Sequence, residues 1–144
     1  MPPSAGEIRG KNHVLPVRVY YEDTDAGGIV YHANYLRFAE RGRTEMLRVL
    51  GIEQGALSER DGIAFAVYKA DIHYAKPAKL DDALDVETAL VGLGAASMKI
   101  RQCVRRDGED LVHVNVEVVC IDGNGKLVRI PSGLRSTIAP FVTN

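Results

Sequence analysis

A chain of 144 residues is sized for one domain with its own core. Apolar residues make up 46% and charged residues 26%, and a formal net charge of −1 leaves no basic field to grip nucleic acid. Two cysteines, Cys103 and Cys120, are too few and too far apart for a disulfide framework or a metal cluster. Both lie in strand-like runs and read as buried free thiols.

Residues 1–13 are polar, with Pro, Ser and Gly, and are expected to form a loose tail before a single domain over 14–144. The opening MPPSAGEIRGK lacks the apolar core of a secretion signal, and no apolar run approaches the ~18 residues of a membrane helix. A soluble cytoplasmic protein with no transmembrane segment is the expectation. Leu15 to Tyr21 alternates, with Leu15, Val17, Val19 and Tyr21 on one side, and predicts a strand.

From Tyr35 the apolar positions Phe38, Ala39, Gly42, Met46, Val49 and Leu50 recur at helical spacing, and Gly51 offers a left-handed cap. Such a helix is about 24 Å long. Arg41 and Glu45 are spaced for an i,i+4 ion pair. Gly42 costs about 1 kcal/mol in a helix interior relative to Ala, which points to a sheet passing close over it. Residues 52–61 read as a polar connection.

Four strands follow. Ile63 to Tyr74 places Tyr68, Ala70, Ile72 and Tyr74 on one face, and Pro77 ends it. Leu84 to Val91 alternates, as do Ala96, Met98, Ile100 and Val104. Leu111 to Ile121 is Val-rich, and Leu127–Ile130 is a short closing segment. The order is one strand, one long helix, then four strands. A helix lying along one curved antiparallel sheet can bury its apolar stripe, while two sheet edges remain and invite dimerisation. Val112, Val114, Val116 and Val118 are apolar enough to demand cover from a second layer or a second subunit.

The chemistry concentrates between Tyr20 and Arg48. An acidic turn, Glu22-Asp23-Thr24-Asp25, runs through Gly27-Gly28 and Ile29-Val30 into Tyr31-His32-Ala33-Asn34-Tyr35 and the helix. A helix start carries unpaired N–H groups and favours negative charge. A carbonyl oxygen becoming an oxyanion can sit there while Asp25 acts on the carbon, an arrangement suited to acyl transfer. Asp before Gly is also an ordinary turn or capping residue. Asp23 reads as a turn residue, Tyr21 as core or pocket wall, and His32 as a helix-start residue beside the donors.

Tyr21, Asp23-Thr24-Asp25, Gly28-Ile29-Val30, Tyr31-His32, Asn34-Tyr35 and Glu40-Arg41…Arg43-Thr44-Glu45 resemble the hotdog-fold acyl-CoA thioesterases. The nearest branch is similar to the Tol-Pal-system-associated thioesterases within the 4-hydroxybenzoyl-CoA thioesterase family. The dense match covers residues 17–48, and the strand pattern extends it to about residue 140. The resemblance implies an α+β hotdog fold, a long central helix wrapped by a five-stranded antiparallel sheet. It implies Asp25 as the catalytic carboxylate, the His32 backbone N–H as oxyanion donor, and a supporting role for Tyr21. Ile29, Val30, Tyr31 and Asn34 then fall at the substrate. In the 4-hydroxybenzoyl-CoA branch the position of His32 is aromatic, and this departure leans toward aliphatic acyl groups.

The resemblance further implies homodimers or homotetramers with the pocket at the dimer interface and acyl-CoA as substrate, and the sequence leaves open coenzyme A or acyl carrier protein as the carrier. A thiolate leaves well, so neither metal nor organic cofactor is expected. The four histidines lack metal-ligand spacing, and His73 and His113 read as structural or surface residues. Ser58, Ser97, Ser132 and Ser136 lack a nucleophile elbow. Scattered bases such as Lys76, Lys79, Lys99 and Arg101 read as a solvated face or as contacts to coenzyme A phosphates. Two rival functions are a dehydratase on 3-hydroxyacyl thioesters and a binding module for acyl carrier protein or envelope machinery.

Overall fold

The computed structural model describes residues 4–143. Strands β1 (Glu7–Arg9) and β2 (Asn12–Arg18) precede helix α1 (Asn34–Val49) and a short helix α2 (Gln54–Asp61). Strands β3 (Ile63–Tyr74), β4 (Ala83–Leu93), β5 (Ser97–Arg106) and β6 (Glu109–Asp122) follow, then helix α3 (Ser132–Ile138). Among the described residues the sheet has six antiparallel strands in the order β1-β2-β4-β5-β6-β3. This is the expected α+β hotdog arrangement with one strand more than the sequence announces.

The extra strand comes from the expected tail. Glu7 pairs with Val14 and Arg9 with Asn12, and Gly10 at φ 65° makes the turn between them. His13 is fully buried and bonds the Ala5 carbonyl through Nε2 at 2.7 Å, so residues 5–13 are anchored rather than loose. Residues 1–3 of that tail lie outside the described residues.

Alternation decides which face of each strand meets α1. Val112, Val114, Val116 and Val118 are all within 4% of complete burial in one chain. The single chain therefore covers the Val-rich run itself, and no second subunit is needed for it. His113, Asn115 and Glu117 alternate onto the opposite, more exposed face. A two-residue turn joins β5 to β6, with Asp107 and Gly108 both at positive φ, the geometry that matches strand twist.

Helix α1 buries Tyr35, Phe38, Ala39, Gly42, Met46 and Leu47 against the sheet. Burying a side chain such as Phe38 contributes roughly 1.5–3 kcal/mol. A Cβ on Gly42 would lie 2.9 Å from both Val86 Cγ1 and Thr88 Oγ1 and 3.0 Å from Gln102 Nε2. The sheet passes over the helix at this point, as the glycine suggests. Gly51, at φ 87°, closes the helix. Glu45 pairs with Arg48 at 3.3 Å rather than with Arg41, whose guanidinium lies 5.9 Å over the Phe38 ring.

Three further differences have local causes. Residues 54–61 are helical, but only Leu57 of α2 is buried, too small an apolar signal to mark a helix. A bulge between Val67 and Lys69 leaves Tyr68 without a partner opposite, so the inward positions of β3 are Phe65, Val67, Ala70, Ile72 and Tyr74. Leu127–Ile130 makes one bridge, Ile121 to Leu127, and no strand.

Candidate active site

Strand β2 stops at Arg18 because Asp23 captures the chain. The Asp23 carboxylate, 4% exposed, accepts the Tyr20 N–H at 2.8 Å through Oδ2 and the Asn34 side-chain N–H at 2.7 Å through Oδ1. Its carbonyl accepts the Tyr31 N–H at 2.9 Å. One buried acid thus fixes the entry to the loop and the entry to α1. Asn34, expected at the substrate, is buried with its amide nitrogen committed to Asp23 and acts as a brace. Tyr21, expected as wall or core, is 82% exposed in a 3-10 turn.

Asp25 lies at the base of the loop held by this frame. Its N–H donates to the Ile29 carbonyl at 2.9 Å and its carbonyl accepts from Gly28 at 3.1 Å. Gly28 sits at φ 80°, where a side chain would be strained. The loop is pinned to the chain before β4, because the Val30 N–H donates to the Ala78 carbonyl at 2.9 Å. The Asp25 side chain is exposed. Its Oδ1 accepts the Gly27 N–H at 2.8 Å, and Oδ2 has no partner among the described residues.

The helix start beside it is uncapped. Ala33 stands at the N-cap and supplies no side-chain hydrogen bond, and the first turn holds no acid. Among the described residues the His32 and Ala33 N–H groups have no acceptor. An alanine N-cap forgoes about 1 kcal/mol relative to Ser or Asp. It leaves the donors and the positive end of the dipole to whatever lies against them.

His32 belongs to an aromatic cluster. Its ring lies 4.5 Å from that of Tyr31 and 6.4 Å, edge-on, from that of Tyr74. The Tyr74 hydroxyl donates to the His32 carbonyl at 2.9 Å, tying the end of β3 to the start of α1. Tyr35, 2% exposed, accepts the Ala78 N–H at 3.0 Å, and burial pushes its phenol pKa up.

Within one chain the residues expected to act together line two clefts. Asp25 shares one with Glu22, Thr24, Tyr31, Asn34 and Arg37. His32 shares the other with Ile29, Val30, Tyr35 and Tyr74. Ile29 is partly exposed, whereas Val30, at 3%, is mostly core. Sequence reasoning missed the Tyr74–His32 clasp, which joins residues 42 positions apart and leaves no local pattern. It also missed Gln102, although a polar residue at an inward position of β5 was a usable signal. Gln102, 1% exposed, donates to the Ala39 carbonyl at 2.7 Å and to Thr88 Oγ1 at 2.9 Å.

Cys103, Asp110 and His113 bring potential metal-ligating atoms within 4.8 Å of one another. Asp110 already bonds Arg105 at 2.6 Å, and burial pushes the Cys103 thiol up to about 11. Both features oppose metal binding, which needs a thiolate and a free carboxylate.

Comparison with known proteins agrees with this architecture. Residues 19–138 match the thioesterase-like superfamily. The acyl-CoA thioesterase YbgC of Haemophilus influenzae is 47% identical over 123 residues, which are 85% of this chain and 90% of that protein. The acyl-CoA thioester hydrolase YbgC of an Escherichia coli O6:H1 strain is 49% identical over 109 residues, covering 74% and 80%. A probable thioesterase from Bartonella henselae superposes with a TM-score of 0.81 at 36% identity, covering 83% of this chain and 99% of that one. With a long central helix on an antiparallel hotdog sheet and relatives named for thioester hydrolysis, the chain is a thioester hydrolase. The chain belongs to the thioesterase-like superfamily.

Proposed function

We propose that this thioester hydrolase cleaves acyl-CoA esters with aliphatic acyl groups, using Asp25 as the reacting carboxylate and the start of α1 as the oxyanion site. The observation that carries the reading is an exposed carboxylate on the loop leading into a helix start, with Oδ2 and the His32 and Ala33 N–H groups free of protein partners among the described residues. The 47% and 49% identical relatives, both named for acyl-CoA thioester hydrolysis, support the substrate class.

In the proposed reaction a water oxygen bonds to the thioester carbon. The carbonyl oxygen gains negative charge on the His32 and Ala33 N–H groups. The C–S bond then breaks, and the coenzyme A thiolate leaves and takes a proton. Asp25 receives the water proton if it acts as general base. If it acts as nucleophile, its Oδ2 bonds the carbonyl carbon first and water opens the resulting anhydride. A single turnover in ¹⁸O-water tests for the second route, since label enters the Asp25 carboxylate only when water opens the anhydride at Asp25 Cγ.

The active unit is proposed to be at least a dimer joined through the β3 edge. Val67 and Tyr68 there are 53% and 70% exposed, and the same strand ends at Tyr74 beside His32. A neighbouring chain can then complete a pocket that one chain divides into two clefts. Light scattering is expected to report twice or four times 15.7 kDa. A fully active species at the monomer mass contradicts the shared pocket.

Thiol release from a panel of acyl-CoA and acyl-carrier-protein esters tests the reaction and its carrier. Turnover of saturated acyl-CoA esters is expected. Dehydration of 3-hydroxyacyl esters without thiol release would instead favour the dehydratase alternative. His32→Ala is expected to lose less activity than Asp25→Asn, because the backbone donor survives the substitution.

A further inference from the structure

A cavity of about 150 Å³ lies between the second half of α1 and the sheet. Arg43, Thr44 and Leu47 form one wall, and Phe65 and Val67 of β3 the other, over Met98. Its surface is mostly hydrocarbon, with one cation, Arg43, and one carboxylate, the exposed Glu40, in its lining. Arg43 is half-buried. Its one hydrogen bond among the described residues runs from Nη1 to Gln102 Oε1 at 3.1 Å, and no carboxylate lies within ion-pair distance. Burial lowers the Arg43 pKa, while Glu40, an exposed residue one turn earlier, raises it less.

The guanidinium is held in place from behind. Gln102 spends its amide N–H groups on the Ala39 carbonyl and Thr88 Oγ1, so its oxygen must face Arg43. A desolvated guanidinium favours an anion, and its remaining N–H groups suit a carboxylate best. Arg43 lies nine residues beyond Asn34, about 13–14 Å along the helix from the proposed oxyanion site. Ala70 and Ile72 continue the inward side of β3 from Val67 to Tyr74, at the helix-start end. Ala70, between the two ends, is exposed.

Resting on the thioesterase reading above, we infer that the trough between α1 and β3 holds the acyl chain and that Arg43 binds a carboxylate at its far end. The preferred substrates are then ω-carboxyacyl thioesters of medium length. The thioester sits at the helix start, the methylenes cross the apolar trough, and the distal carboxylate pairs with Arg43.

The test compares kcat/KM for butanoyl-, hexanoyl-, octanoyl- and decanoyl-CoA with that for succinyl-, adipoyl-, suberoyl- and sebacoyl-CoA. At the best-fitting length the ω-carboxy ester is expected to be favoured by about 10–100-fold, below the discrimination of a fully buried polar site. Arg43→Met is expected to reverse that preference, chiefly through KM, while plain acyl esters stay within a few-fold of wild type. Arg43→Lys should keep part of the preference. Plain esters winning at every length, or Arg43→Met reducing both series equally while its melting temperature is unchanged, would overturn the inference. If no ester is hydrolysed, the thioesterase reading fails separately. Calorimetric binding of suberoyl-CoA against octanoyl-CoA then decides the Arg43 claim, with equal affinities refuting it. If Arg43→Met does not fold, Arg43→Lys and the wild-type length series decide it.

Discussion

The middle of α1 and its start are built to opposite standards. Around Gly42 the helix presses on the sheet closely enough that a Cβ would meet three side-chain atoms at 3.0 Å or less. Gln102 there is buried with both nitrogen-donated hydrogen bonds and its oxygen employed. At the other end the N-cap is an alanine, and among the described residues two N–H groups lack protein acceptors and Asp25 Oδ2 lacks a protein partner. The packed middle holds the helix still, and the start leaves its polar groups open to solvent or to a ligand. Asp23 separates the two roles in the loop, spending its own carboxylate wholly on structure two residues before Asp25.

Substitutions can break that contrast from either side. The largest effect on stability is expected at the packed middle, where Gly42→Val should destabilise the fold by about 1–3 kcal/mol through overpacking. Chemical denaturation measures it, and an unchanged midpoint would show that the sheet stands further from the helix than described. A smaller, two-sided effect is expected at the open end. Ala33→Asp supplies the missing cap and should stabilise the protein by about 1 kcal/mol. It should also lower turnover, because a carboxylate beside the His32 and Ala33 N–H groups repels the oxyanion proposed to form on them. A variant that gains stability and keeps full activity would remove the helix start from the mechanism.

The smallest effect is a pH dependence in the N-terminal hairpin. Burial lowers the His13 pKa, opposed by its bond to the Ala5 carbonyl. The folded form thus resists protonation more than the unfolded form does. Its contribution to stability is full above the unfolded value near 6.5 and declines as pH falls from there toward the folded value. Amide exchange at Ile8 and Val14 should therefore quicken between neutral and mildly acid pH, relative to β6. Equal exchange ratios at both pH values would mean that His13 does not hold the hairpin.

The sequence made much of this legible for identifiable reasons. Period-two alternation located β3 to β6, and helical spacing from Tyr35 located α1 to within a residue. Gly42 announced the close approach of a sheet because a glycine in mid-helix needs a reason. Strand β1 stayed hidden because it is three residues long with charged ends, and α2 because Leu57 alone anchors it. The bulge at Tyr68 shifted the face of β3, which alternation counted straight through. At the proposed site, the loop that carries Asp25 and the helix start after it were readable from local order. The Asp23–Asn34 and Tyr74–His32 bonds were not, because nothing near either residue encodes its partner.

The account stands most directly on thiol release by Asp25→Asn, measured beside Asp23→Asn with the melting temperature of each. Asp25 is exposed and holds only its own loop, so its substitution should leave melting nearly unchanged while turnover falls by about 10²–10⁴-fold. Asp23→Asn weakens a buried charge-assisted link and should lower the melting temperature, with a smaller loss of turnover in the protein that remains folded. Near-wild-type turnover by folded Asp25→Asn would contradict the assignment of the chemistry to the open end of α1.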